Sequence, residues 1–237
     1  MKSLIVTLIA ALLPLSAIAA DAPAPKTTKP MKIGIIGTGD IGGALARHWS
    51  AAGHQLLVSS RHPEQLQTLA NELGPNVKVG TPREAAAFGD VVMLAVPYGA
   101  TPQVGRDYAA ELKGKVVLDA GNPYPSRDGD MAVRDRQRGT GVASAEYLPG
   151  TRLVRAFNAI NAGPLAREAF RKPERIGIPL AADDAKAMEI AGQLVSDAGF
   201  DPVPVGKLSR ARDFDYGTPV YVRGMTAAEL RKVLKLQ

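Results

Sequence analysis

Residues 31–43 read M-K-I-G-I-I-G-T-G-D-I-G-G, an apolar strand running straight into Gly37-x-Gly39-x-x-Gly42 and then into a helix. Glycines at this spacing restrict the fold sharply. Gly37 permits the tight turn out of the strand, Gly39 lets the backbone approach a pyrophosphate, and Gly42 lets the helix pack closely on the strand. The unpaired N–H groups of a helix starting at Asp40 then face negative charge. The flanks agree. Lys32 to Ile36 is short and β-branched, Ile41, Leu45 and Trp49 recur at helical spacing, and Gly53-His54 closes the helix before a second strand, Gln55 to Ser59. Strand, turn, helix and strand in this order make a dinucleotide-binding βαβ unit.

The end of the second strand meets the adenosine ribose about 20 residues past the glycines, and NAD sites place Asp or Glu there. This chain has Ser59-Ser60-Arg61-His62 and no carboxylate before Glu64. A hydroxyl and a guanidinium can donate to a ribose 2′-phosphate, each charge-assisted bond being worth about 1.5–3 kcal/mol. Ser60 and Arg61 therefore predict a preference for NADP(H).

The later chain keeps alternating: strand Val77 to Val79 and helix Thr81 to Phe88, strand Val91 to Val96 and helix Ala100 to Leu112, then strand Lys115 to Leu118. Short apolar runs without polar alternation belong to a parallel sheet covered on both faces. The fold class is thus α/β, a Rossmann-type doubly wound, mostly parallel sheet with a small C-terminal appendage. Gly121 to Gly141 reads as a Pro/Gly/Arg-rich loop. A helix through Ala145, strands Arg152 to Phe157 and near Ile176 to Leu180, a helix Asp183 to Ala198 and a last strand Pro202 to Val205 follow. Thr226 and Glu229 stand at capping-box spacing ahead of a short helix reaching Leu236. In such sheets ligands lie beyond the carboxyl ends of the strands, so the segments Val96-Pro97-Tyr98-Gly99, Asp119 to Tyr124 (with Asn122) and Ala156 to Asn161 are expected on the nicotinamide and substrate side.

With 237 residues and 46% apolar content, the chain can form one substantial domain, expected over residues 31–208, with 209–237 as a tail. A formal charge of +6 suits anionic ligands. Nucleic acid is not expected, because Asp128, Asp130 and Asp135 interrupt the densest basic stretch, Arg127 to Arg138. That stretch reads as a solvated loop, with its arginines as candidates for gripping a polyanionic deazaflavin tail. His48, His54 and His62 are expected to be structural or surface residues, and with no cysteine no metal site is expected. Small-molecule cofactors are the expected partners, and a homodimer is left open.

At the N-terminus, Lys2, the apolar run Leu4 to Leu15 and the small residues Ala17 and Ala19 read as a secretory signal peptide over residues 1–20, followed by a flexible Pro/Ala/Lys linker over 21–30. Export to the periplasm or the exterior follows, with no stable membrane insertion unless the leader stays uncleaved. Translation from Met31 would instead give a cytoplasmic protein.

Together, I-G-T-G-D-I-G-G-A-L-A (36–46), S-S-R (59–61), V-P-Y (96–98), V-R-A-F-N (154–158), A-A-D-D-A-K-A (181–187) and D-A-G-F-D-P-V-P-V-G (197–206) resemble the NADPH-dependent reductases of the deazaflavin coenzyme F420 and the cytosolic domains of membrane metalloreductases. The resemblance runs from Met31 to Leu208. It implies that Thr38, Gly39, Asp40 and Ile41 cradle the pyrophosphate, that Ser60 and Arg61 hold the 2′-phosphate, and that Val96, Pro97 and Asn158 sit near the nicotinamide. It also implies coenzyme F420, FMN or FAD as second substrate. Gln65 replaces a lysine of some relatives, Tyr98 replaces a common Trp, and Asp213 to Gly224 departs from the archaeal pattern. The second-substrate pocket is thus the least transferable part.

Hydride transfer between stacked rings depends on positioning and needs no protein acid or base. No catalytic residue is assigned from the sequence. Hydroxy-acid dehydrogenases need a lysine after Asn158 and a large helical domain, and the stretch Asn158 to Phe170 has no lysine. An NADP(H)-binding sensor without turnover, using Tyr216 to Arg223 to meet a partner, is the alternative.

Overall fold

Strands that are apolar along their whole length need cover on both faces, and in the computed structural model, which describes residues 26–27 and 29–236, they have it. The chain begins β1 (Lys32–Ile36), α1 (Asp40–Ala52), β2 (Gln55–Ser59), α2 (Gln67–Leu73), β3 (Val77–Gly80), α3 (Pro82–Phe88) and β4 (Val91–Leu94). It continues with α4 (Thr101–Asp107), α5 (Ala109–Leu112), β5 (Val116–Asp119), α6 (Pro125–Arg138), α7 (Thr140–Tyr147), β6 (Arg152–Arg155) and α8 (Ala162–Arg167). β7 (Gly177–Ala182), α9 (Ala185–Asp197), β8 (Asp201–Gly206) and α10 (Ala227–Val233) complete it. The eight strands form one sheet in the order β3-β2-β1-β4-β5-β6-β7-β8. All pairs are parallel except β6 with β7. The expected Rossmann-type, mostly parallel sheet is the observed one.

Each face is closed by its own apolar layer. Leu45 and Trp49 of α1, Leu194 and Val195 of α9, and Phe157 cover one face. Ala85 and Ala86 of α3, Val104 of α4 and Leu112 of α5 cover the other. Trp49 is fully buried, and its Nε1 donates to the Leu194 carbonyl at 2.8 Å, as a buried indole N–H requires. His54, also fully buried, accepts from Met31 N through Nδ1 at 3.1 Å and donates from Nε2 to Asp197 Oδ2 at 3.0 Å. It ties the start of β1 to α9.

Residues 209–236 pack onto β7 and β8. Phe214, Val220 and Leu230 share a buried cluster with Ala181, Val203 and Val205. The capping box at the start of α10 is present, with Thr226 accepting from Glu229 N and Glu229 reaching back to Thr226 N.

Three local expectations need correction. The segment Gly121 to Gly141 is not a loop, because Pro125–Arg138 is a helix kinked at Gly129, where φ is 62°. The expected helix Ala100 to Leu112 is broken at Tyr108. The strand expected to reach Phe157 stops at Arg155, since Phe157 turns to φ 61°. The leader expected over residues 1–20 lies outside the described residues, as does most of the linker; at its end Thr27 N donates to the Ala52 carbonyl at 2.8 Å. Among the described residues no helix is long and apolar enough to cross a membrane.

Candidate dinucleotide-binding cleft

The strand order reverses between β1 and β4, and a crevice opens there at the carboxyl ends of the strands. Its floor follows from the first turn. Gly37 has φ 94°, and a Cβ on it would stand 2.5 Å from the Ala95 carbonyl oxygen. A Cβ on Gly42 would stand 2.1 Å from the Gly37 carbonyl oxygen, so α1 can approach the turn only because that residue is glycine. Among the described residues, a Cβ on Gly39 would meet nothing within 4 Å. Gly39 therefore leaves open space at the start of α1, where its backbone caps the helix and no side chain satisfies the first N–H groups.

Two hollows meet at Ala95, Val96 and Pro97 and together form the crevice. The larger, of about 690 Å³, is lined by Gly37, Thr38, Gly39, Ser60, Arg61 and the apolar wall Pro82, Val104 and Tyr108. Thr38 Oγ1 donates to the Ser59 carbonyl at 3.0 Å, and Ser60 Oγ accepts from His62 N at 3.0 Å, which fixes both turns. Arg61 is exposed at the rim and makes no ion pair among the described residues.

The smaller hollow, of about 410 Å³, is lined by Asp40, Ile41, Asn122, Tyr124, Phe157 and Tyr221, among others. Asn122 Nδ2 donates to the Asn158 carbonyl at 2.8 Å, and among the described residues its buried Oδ1 has no partner. That orphaned acceptor suits a ligand N–H, such as a carboxamide. Tyr124 and Tyr221 share a 2.6 Å hydroxyl contact. Burial, and then the bond to Tyr124, push the Tyr221 hydroxyl well above the usual tyrosine range.

Among the residues expected at this site, Gly37, Thr38, Gly39, Asp40, Ile41, Ser60, Arg61, Val96, Pro97 and Asn122 all line the crevice. Gly42 stands behind it as packing. Asn158 does not line it. Its side chain is 1% exposed and turns away, Nδ2 donating to Asp215 Oδ1 at 3.3 Å. Tyr98, expected on the nicotinamide side, is also fully buried, its hydroxyl donating to Asp135 at 3.3 Å. Burial, then the Asp135 charge, raise its pKa far above the ordinary value.

Sequence reasoning missed the arrangement behind the crevice. Arg155, fully buried, donates to Asp119 at 2.8 Å and to Asp215 at 3.2 Å. Burial works against its charge, and Asp119 and Asp215 overcome that, holding it above the ordinary guanidinium value. The signal was present: an arginine inside the strand V-R-A must find a carboxylate. Tyr221 was missed as well, because nothing local places residues after the last strand over the ends of β4 and β5.

Residues 32–123 match the family described as NADP oxidoreductase, coenzyme F420-dependent. The F420-dependent NADP reductase of Methanothermobacter thermautotrophicus is 32% identical over 81% of this chain and 88% of its own length. The chain belongs to that family. The metalloreductase STEAP3 of Rattus norvegicus is 28% identical over 78% of this chain and 36% of its own length. Among solved structures, the hypothetical protein SMa0349 of Sinorhizobium meliloti superposes with a TM-score of 0.73 at 28% identity, covering 84% of this chain and 96% of that one. As a family member the protein is an NADPH-dependent reductase. The Gly37-x-Gly39-x-x-Gly42 turn, the open space at Gly39 and the Asn122 acceptor all fit NADP(H).

Proposed function

We propose that this reductase transfers a hydride between NADPH and a flat ring acceptor of the deazaflavin or flavin class. The observation that carries the reading is the division of the crevice. The larger hollow has the glycine turn and the Ser60-Arg61 rim for the adenosine end, and the smaller one, of about 410 Å³ across Val96 and Pro97, has Ile41, Phe157 and Tyr221 in its lining for the nicotinamide and acceptor rings. The names of the archaeal relatives supply the acceptor class.

Bound NADPH supplies the hydride. The chain's own residues position it. Arg61 and Ser60 hold the extra phosphate, the α1 N-terminus faces the pyrophosphate, and Asn122 Oδ1 receives the carboxamide N–H. The Val96-Pro97 wall presses the nicotinamide toward the acceptor, and such positioning can supply several kcal/mol of the barrier, up to about 7–11. Tyr124 and Tyr221 close the far side and limit water.

NADPH oxidation is to be followed with coenzyme F420, FMN, FAD and ferric chelates in turn. The expected result is turnover with a deazaflavin or flavin. Tight NADPH binding with no acceleration by any ring acceptor would remove the reading, and activity with ferric chelates alone would replace it by a direct metalloreductase one.

A further inference from the structure

A third hollow, of about 330 Å³, opens beside the crevice between α6, α7 and the segment after β8. It is walled by Arg136, Arg212, Thr140, Asp215 and Tyr216. Its electrostatics are one-sided. Neither Arg136 nor Arg212 makes an ion pair among the described residues, whereas Arg127, Arg134 and Arg138 of the same helix are each paired with a carboxylate. Arg136 rests on the Tyr216 ring at 4.4 Å. Among the described residues Arg212 has two long hydrogen bonds, of 3.5 Å, to the carbonyls of Gln137 and Arg138. Asp215, the one carboxylate of the hollow, already receives Arg155 Nη2, Asn158 Nδ2 and Thr140 N. Thr140 is 1% exposed, and its Oγ1 has no partner among the described residues. Two guanidinium groups without a counter-charge and one unsatisfied buried hydroxyl form a donor set for an anion.

One row of rings separates this hollow from the nicotinamide side. Tyr216 packs edge-on against Tyr124 at 5.1 Å and Tyr221 at 5.3 Å, and Tyr124 and Tyr221 line the crevice. Tyr216 thus stands between the rings that line the crevice and the hollow that holds the arginines.

We infer that Arg136, Arg212 and Thr140 form the subsite for the phosphate-bearing tail of the ring acceptor, and so select tailed acceptors over tail-less ones. This rests on the ring-acceptor reading above. It also narrows the expectation for Arg127 to Arg138 to Arg136, and adds Arg212 from a different segment.

The test compares FMN with riboflavin, and coenzyme F420 with its tail-less deazaflavin core, since each pair shares a ring and differs in the tail. The proteins are the parent and an Arg136→Gln/Arg212→Gln variant, both exposed positions outside the crevice. The parent is expected to show a KM at least about tenfold lower for the tailed member. The variant should lose that advantage while keeping its KM for NADPH and its kcat/KM for the tail-less ring. A parent that does not distinguish the members of either pair, or a variant that still does, overturns the inference. If no acceptor is turned over, the transfer reading has failed by itself. Fluorescence titration of FMN and riboflavin onto the NADP-loaded proteins then decides the subsite: FMN preference lost in the variant supports it, and equal binding of both ligands to the parent sinks it.

Discussion

Arg155 Nη2 donates to Asp215 Oδ1 across 3.2 Å, joining the end of β6 to a residue 60 positions later. The same guanidinium holds Asp119 at the end of β5 through Nη1 at 2.8 Å. The two strand ends behind the smaller hollow, and the C-terminal segment that brings Tyr216 and Tyr221 over it, are therefore clamped at one buried cation. Asn158 and Thr140 join the clamp through Asp215.

Replacing Arg155 with Met keeps most of the volume and strands two buried carboxylates. Breaking a buried ion pair by removing one partner costs about 3–5 kcal/mol. Urea unfolding near neutral pH should show a loss of that order. A variant within about 1 kcal/mol of the parent, as at a solvated surface pair, would show that water reaches the cluster.

The glycines of the first turn separate folding from binding. Gly42→Ala puts a methyl 2.1 Å from the Gly37 carbonyl oxygen and must push α1 off β1, a loss of about 1–3 kcal/mol as in other overpacked sites. Among the described residues, Gly39→Ala meets no atom within 4 Å beyond its chain neighbours, so its melting temperature should stay near the parent's. Its methyl occupies the space beside the helix N-terminus, and NADPH affinity should fall at least about tenfold. Calorimetry and thermal melts on the two variants check both halves. Unchanged NADPH binding in Gly39→Ala would place the pyrophosphate elsewhere.

Arg61 stands at the rim of the larger hollow without an ion-pair partner among the described residues. Arg61→Asp replaces a donor to the 2′-phosphate with a repelling charge, so NADPH should weaken by about one to two powers of ten or more, while NADH changes little. Titration of both nucleotides measures the difference. Equal losses would remove the NADP preference from this residue.

What the sequence made legible was local. β1, α1 and β2 announce themselves through periodicity and glycine spacing, and Thr226 with Glu229 caps α10 within four residues. The helix Pro125–Arg138 is different, because its inner face is not apolar. Asp135 is buried there, accepting from the hydroxyls of Tyr98 and Tyr147, and Gly129 bends the backbone, so neither period nor propensity marked it. Side-chain direction was equally hidden. Asn158 and Tyr98 stand at strand ends, yet partners 57 and 37 residues away draw them behind the wall. Gly37, Thr38, Gly39, Ser60 and Arg61 at the adenosine end come from one continuous βαβ unit and were readable, and Val96, Pro97 and Asn122 followed from their places at strand ends. Pro82, Val104 and Tyr108 in the larger hollow and Tyr221 across the smaller one depend on contacts between distant segments and were not.

Two histidines held below their ordinary pKa couple the fold to pH. His48 Nε2 lies 2.7 Å from the Leu165 carbonyl, which can only accept, so Nε2 is the donor. Burial lowers the pKa of His48 below 6.5, against the bond to Leu165, and burial lowers that of His54 against the attraction of Asp197. Between the folded value and 6.5 the unfolded chain binds more protons at these two positions than the folded one, so stability rises with pH across that window. It is fully present above the window and is lost as the pH falls through it. The melting temperature should therefore drop between about pH 7.5 and about pH 5.5, where histidine titrates. A His48→Gln/His54→Gln variant should be less stable at neutral pH, since a glutamine side chain cannot reproduce both bonds of His54, but its melting temperature should vary less over the same interval. A variant slope as steep as the parent's would assign the pH dependence to other groups.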